Sequence, residues 1–357
     1  MDVVVIGGGQ AALALGFYLR RSGLSYVILD AHPAAGGSWQ HGWTSLRAFS
    51  PAQWSSLPGW LMPRSGNEYP SRDEVLAYLA AYEERYALPV RHGVRVTSLE
   101  RTADDFVVSG TTDAGAVTWR TRAVISATGG APFVPDVPGR DSFAGVQLHS
   151  LQYTSSAPFA GKRIVVVGGG NSGAQIVADL TDPASSSKVA HVTWATREPP
   201  HFLPDDVDGR YLFEQATLRY RAEQAGLPAP PPRSLGDVVA VAPVRAARER
   251  GDLTAVPMFD RITDHGVVWP DGHETQEDVI IWATGFRPAL DHLAPLGVVN
   301  GAGRVDVGGP AGTRSVVEPH LWLVGYGNWT GYASATLIGV GRSARATVDD
   351  VVQTLAK

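Results

Sequence analysis

The chain has 357 residues, a formal charge of −5 and no cysteine. At roughly 150 residues per domain, this length predicts two domains, and 44% apolar with 18% charged residues describe a globular chain, not a disordered one. The mild acidic excess offers no footprint for nucleic acid or an anionic membrane, and without cysteine there is no disulfide, thiolate metal site or redox dithiol. No metal site is expected.

The pattern predicts a strand over Val3–Ile6, a glycine turn, a helix, and a second strand over Tyr26–Leu29. The first strand begins so early that no signal or transit peptide is expected, and a cysteine-free chain suits a reducing cytoplasm. Gly7-Gly8-Gly9-Gln10-Ala11-Ala12 fits G-x-G-x-x-A. Gly7 permits the tight turn, Gly9 lets backbone approach a pyrophosphate, and Ala12 allows close helix–strand packing. The helix that opens at Gln10 offers free N–H groups to phosphates. Asp30, at the end of the second strand, is placed to accept the ribose hydroxyls. Gly36-Gly37-Ser38-Trp39 follows, where the glycine pair Gly36-Gly37 lets backbone pass close to an extended cofactor and Trp39 packs on it; Gly37, Ser38 and Trp39 are candidate cofactor contacts. The competing reading is a loop with a core tryptophan.

Residues 162–195 repeat the arrangement, with a strand over Ile164–Val167, a turn, a helix and a strand around Val192–Trp194. Gly168-Gly169-Gly170-Asn171-Ser172-Gly173 is a full G-x-G-x-x-G. Its second strand ends in Arg197, not in an acid. A guanidinium pairs with a 2′-phosphate where a carboxylate repels it, although a surface arginine beside Glu198 is the plainer reading. Two further apolar strands end alike, in Ala127-Thr128-Gly129 and Ala283-Thr284-Gly285, at strand ends where open α/β sheets bind ligands. The acid-bearing unit suits FAD and the arginine-bearing unit NADPH. The expectation is an α/β fold of two Rossmann-like dinucleotide-binding domains, the NADPH domain inserted into the FAD domain. Residues 1–154 and 286–357 would form the FAD domain and 155–285 the NADPH domain. Pro228 and Pro230 to Pro232 read as a surface excursion, and 201–260 has mixed helical patterning. The apolar run Leu321–Val340 is broken by polar residues and glycines. It reads as buried backbone near a ligand, with no membrane span.

Phe143-Ala144-Gly145-Val146-Gln147-Leu148-His149-Ser150-Leu151-Gln152-Tyr153 matches F-x-G-x-x-x-H-x-x-x-Y/F and resembles the fingerprint of flavin-containing monooxygenases. Gly36-Gly37-Ser38-Trp39 and Ala283-Thr284-Gly285-Phe286 resemble other motifs of that family. His41–Pro51, Phe202–Arg210 and Gly325–Gly331 resemble its arsenic-resistance-operon branch. The resemblance implies NADPH reduction of FAD, a flavin C4a-(hydro)peroxide formed with O₂, and oxygen transfer to a small soft nucleophile such as S, N, Se or As(III). An NADPH oxidase that releases H₂O₂, and a redox sensor without turnover, are the competing functions. The family's asparagine after G-G-x-W is missing; Ser45, Arg47, Ser50 or Gln53 stands to contact the flavin instead. Gly327-Asn328 stands where many FAD proteins carry Gly-Asp. No protein acid, base or nucleophile is required, so no catalytic residue is assigned. Trp43, Trp54 and Trp329 are candidate pocket walls, with plain packing as the alternative, and His149 is expected to fix an interdomain hinge. The substrate and the oligomeric state are not written in these motifs.

Overall fold

Apolar strands covered on both faces build two parallel sheets. In this computed structural model residues 1–228 and 237–356 are described; Pro230 to Pro232 lie outside them. In the first sheet β1 (Val3–Ile6) lies between Ala123–Ser126 and β2 (Tyr26–Leu29), with β3 (Val90–Arg91) at one edge and Leu321–Leu323 on the other side; these five run parallel. Alternate residues point to opposite faces. Val3 and Val5 therefore join one core with α1 (Gln10–Leu19), α2 (Arg72–Arg85) and α6 (Val340–Leu355). Val4 and Ile6 join another core, under an antiparallel meander of Arg95–Arg101, Phe106–Thr112 and Gly115–Thr121. That meander was not read from the sequence. α2 begins at a capping box, in which Glu74 N donates to Ser71 Oγ and Ser71 N donates to Glu74 Oε2.

The second sheet is wholly parallel, in the order Ala255–Pro257, His191–Thr196, Arg163–Val167, Val279–Trp282, Val146–His149. Ile164 and Val166 pack on one face with α3 (Asn171–Leu180) and α5 (Ala242–Glu249). Val165 and Val167 pack on the other, with Ile262 and Val267 of a short antiparallel sheet and with Trp269 just beyond it. α4 (Gly209–Gln224) and α5 occupy the stretch whose patterning was mixed.

The first sheet takes strands from both chain ends and the second sheet lies between them, as the insertion topology requires. Val146–His149, within the stretch 1–154, is an edge strand of the second sheet. An edge strand is only half covered, and Val146 is exposed, so no apolar run marked it. The chain crosses between the units at Gly130–Pro132 and again at Phe286–Pro288, and these two segments pair antiparallel. Among the described residues no helix is long and apolar enough to cross a membrane.

Candidate active site

The two glycine turns are one construction made twice. Gly7 N donates to Leu29 O (2.8 Å) and Ala127 N to Ile6 O (2.7 Å); Gly168 N donates to Ala195 O (3.0 Å) and Ala283 N to Val167 O (2.8 Å). Gly7 and Gly168 hold φ of 107° and 128°, and a Cβ on either would overlap the carbonyl of Ala127 or Ala283. Each Ala-Thr-Gly turn is thus the wall against which a glycine turn is folded, and a side chain has no room between them. α1 and α3 begin behind Gly9 and Gly170 with no side-chain cap. Their first N–H groups are left for an anion at the strand ends.

The first turn opens on a cleft of about 670 Å³, within the size range of small-molecule and cofactor sites. Gly7, Gly9, Gln10, Asp30, Gly37, Ser38, Trp39, Ala127, Thr128 and Gly129 all line it. A Cβ on Gly9 would meet only Gly37 Cα, at 3.8 Å, so that position faces free space. Ala12 is fully buried inside α1 and serves the helix–strand contact instead. Trp39 Nε1 donates to Gln10 Oε1 (3.4 Å), and Gln10 Nε2 donates to Ala335 O (2.7 Å). Ala335 to Leu337, inside the C-terminal run expected near a ligand, and Val94 to Val96 complete the wall. Asp30 is 2% exposed. Its Oδ1 lies 3.1 Å from His32 Nδ1 and its Oδ2 3.1 Å from His92 Nδ1; neither histidine carried a signal in the sequence.

Of the residues proposed to touch the flavin, Ser50 lines the cleft, buried, with Oγ 2.8 Å from Ser55 Oγ. Arg47, Gln53 and Asn328 do not line it. The Arg47 guanidinium donates to Tyr69 O (3.5 Å), and Gln53 Oε1 accepts from Arg64 on the exposed side. Asn328 is exposed. The residue pair that follows the central strand is Gly325-Tyr326: Gly325 lines the cleft, and the Tyr326 hydroxyl meets Ser126 Oγ (2.6 Å) and Thr128 Oγ1 (2.7 Å) and accepts from Thr128 N (3.1 Å). Burial pushes the Tyr326 phenol up from its ordinary range, so it stays neutral. Trp54 lines the cleft, whereas Trp43 packs on Tyr153 against the second sheet and Trp329 leans on Tyr326. Phe49 and Phe213, which the sequence left unassigned, line the same wall as Trp54 with ring centroids 6.0 Å apart.

His149 sits at the crossing between the units. Leu151 N donates to His149 Nδ1 (3.1 Å), so the proton is on Nε2, which donates to Gly285 O (2.9 Å). Burial lowers the ring's proton affinity, which keeps this tautomer neutral. Thr284 Oγ1 donates to Phe133 O across the same crossing. At the second turn Gly173 presses on the Gly168 carbonyl. The Asn171 amide donates to Asp237 O (2.9 Å) and its oxygen accepts from Val239 N (2.9 Å), so it braces the loop before α5. Ser172 follows in the first turn of α3, and Arg197 stands exposed beyond the end of its strand.

Two uncapped helix starts on two parallel sheets, one facing an open cleft beside a buried carboxylate and the other beside an exposed arginine, define a two-dinucleotide flavoprotein. Residues 4–206 match the pyridine nucleotide-disulphide oxidoreductase family. The chain is 50% identical to a flavin-containing monooxygenase of Stenotrophomonas maltophilia, covering 99% of this chain and 98% of that one, with a TM-score of 0.87. It is 29% identical to the uncharacterised oxidoreductase CzcO of Bacillus subtilis over 85% of this chain and 86% of that protein. It is 28% identical to the indole-3-pyruvate monooxygenase YUCCA4 of Oryza sativa over 80% of this chain and 74% of that protein. The chain belongs to the flavin-dependent monooxygenases of this oxidoreductase family, and it uses FAD and NADPH. With no cysteine in the sequence, the disulphide in the family's name has no counterpart here.

Proposed function

We propose that this monooxygenase transfers oxygen to a small, uncharged, soft heteroatom, with FAD along the first cleft and NADPH at the second glycine turn. The observation that carries this reading is the composition of one wall. Ala48, Phe49, Trp54, Phe213 and Leu337 are apolar, and the polar groups beside them are the hydroxyls of Ser50 and Ser55. The charged and titratable lining residues, Asp30, His32, Arg95, Asp291 and His292, come from elsewhere on the wall. An apolar pocket with few polar groups selects a neutral ligand.

When bound, FAD accepts hydride from NADPH and activates O₂. The protein's own part is positional. The uncapped start of α1 and the glycine backbone receive the pyrophosphate, Asp30 the ribose hydroxyls, and the Ser50 hydroxyl is the polar group nearest to the aromatic wall. Phe49, Trp54 and Phe213 keep water from the oxygenating end of the cleft. Arg197 pairs with the 2′-phosphate of NADPH.

Thioethers and organic trivalent arsenicals fit such a wall. Inorganic arsenite is the poorer substrate, because trivalent arsenic is held by thiolates and the chain has none. The test is NADPH-driven O₂ uptake with catalase present, and chromatography of the product. A sulfoxide or a pentavalent organoarsenical formed in the presence of catalase is the expected result. Product that vanishes with catalase identifies an oxidase releasing H₂O₂, and no NADPH-driven O₂ uptake at all identifies a sensor; either overturns the proposal.

A further inference from the structure

The Asp30 carboxylate is one link in a chain of titratable groups that oxygen transfer does not use. Glu83 Oε1, on α2, lies 3.0 Å from His92 Nε2, and His92 Nδ1 lies 3.1 Å from Asp30 Oδ2. On the other side, Asp30 Oδ1 lies 3.1 Å from His32 Nδ1, and His32 Nε2 lies 3.0 Å from His41 Nε2. His92 therefore stands between two carboxylates, with 23% of its side chain exposed and 2% of Asp30's.

An ionised carboxylate accepts hydrogen bonds and has none to give. Both contacts of His92 are hydrogen bonds only when each ring nitrogen carries a proton. His32 is different: its second nitrogen faces an imidazole, and the pair is satisfied by one proton between them. Gly8 lies hard against the same carboxylate, since a Cβ there would overlap Asp30 Cγ. Asp30 thus has no freedom toward the glycine turn, and its orientation is set by the histidines. The other charged groups around it are Arg91 at the end of β3 and Arg95, which lines the cleft; both are exposed.

We propose that His92 is a positioning residue for the flavin: its imidazolium, braced by Glu83, fixes the Asp30 carboxylate at the cleft wall and makes FAD retention depend on pH. The proposal rests on the reading of the cleft as the FAD site with Asp30 at the ribose. Loss of the His92 proton leaves one of its two carboxylates without a donor. FAD binding therefore weakens as pH rises.

The experiment is ultrafiltration of dilute holoenzyme at a series of pH values, with released FAD read by absorbance to give Kd. Wild-type Kd should rise about ten-fold between about pH 6 and about pH 8.5, the scale of one charge-assisted hydrogen bond. His92→Gln should bind FAD more weakly and with no such rise. Glu83→Gln leaves His92 in place but removes the carboxylate acceptor on its Nε2, so the ring no longer needs both protons and the rise should shrink. His32→Gln should keep the rise. A purely structural role would weaken binding equally at every pH in both the His92 and Glu83 variants. A flat wild-type profile with FAD bound, a rise that survives in His92→Gln, or a Glu83→Gln profile that superimposes on wild type overturns the proposal alone. Absence of FAD binding at every pH overturns the reading of the cleft and this proposal together.

Discussion

Gly9 shows how little separates binding from its loss at a single position. Its Cβ direction opens on free space, so a side chain there is tolerated by the fold and occupies the cleft. Gly9→Leu is expected to purify folded but without flavin, read as loss of visible absorbance with an unchanged far-ultraviolet spectrum. A variant fully loaded with FAD would remove the cleft from the flavin's path. His292 carries the opposite kind of information. It lines the cleft, is 6% exposed, and its Nε2 lies 3.0 Å from Ser126 Oγ. Burial lowers its pKa from 6.5 to about 4. A base whose folded pKa is depressed contributes stability that is present above 6.5 and lost as pH falls toward about 4, because the unfolded chain takes the proton first. The loss is on the order of 3 kcal/mol. Chemical denaturation at pH 7 and near pH 4 should show it, and His292→Gln should flatten that part of the profile. At this scale the sequence pointed to Gly327-Asn328 as the counterpart of the Gly-Asp pair, whereas Gly325, and not Asn328, lines the cleft. The signal was present in the strand's end, Leu323, two residues ahead of Gly325.

Among the elements, legibility followed coverage. Val3–Ile6 and Ile164–Val167 are covered on both faces, so every residue is apolar and the strands stand out. Val146–His149 and the meander from Arg95 to Thr121 are covered on one face or at an edge. Their apolar positions are diluted by polar ones, and no glycine motif marks them. α4 was obscured for a related reason: its patterning was mixed, and the Phe213 it contributes faces the cleft rather than the second sheet's core. Where a strand ends also sets which charged group stands at the sheet's edge. The strand His191–Thr196 ends at exposed Arg197, whereas β2 ends at buried Asp30. Arg197→Ala should weaken NADPH binding by roughly ten- to a hundred-fold and leave NADH nearly unchanged, the scale of a lost charge-assisted bond. Equal loss for both coenzymes, measured by steady-state KM and by direct titration, would remove the 2′-phosphate from this strand end.

Across the whole molecule, the two units are joined by more than the crossing strands. Asp179, on α3, accepts from Tyr153 Oη at Oδ2 (2.5 Å) and from Ser45 Oγ at Oδ1 (2.5 Å). Tyr153 is fully buried, and Ser45 belongs to a segment of the first unit that packs on the second through Trp43, Leu46 and Phe49. One carboxylate therefore ties α3 to the linker and to the flavin-side loop. Asp179→Ala leaves the Tyr153 hydroxyl buried without an acceptor, a cost of about 1–3 kcal/mol. Thermal unfolding should report that loss, and Ser45→Ala should cost less because Ser45 is exposed. Equal losses in the two variants would show that the buried tyrosine does not bear the tie.

The placing of both chain ends in one sheet has a consequence in time. α6 packs along α1, the strand Leu321–Leu323 pairs with Ala123–Ser126 at the middle of the first sheet, and Ala335 to Leu337 close the cleft. A ribosome releases these parts after the whole of the inserted unit. The inserted unit, whose strands all lie between Val146 and Trp282, is finished while the first unit still lacks a central strand and a helix. On a nascent chain, then, the middle of the sequence is compact first, and the strand Ala123–Ser126 waits, one edge unpaired, for Leu321–Leu323 some two hundred residues downstream. A chain stopped short of Ala335 would hold a finished inserted unit beside an open-sided cleft.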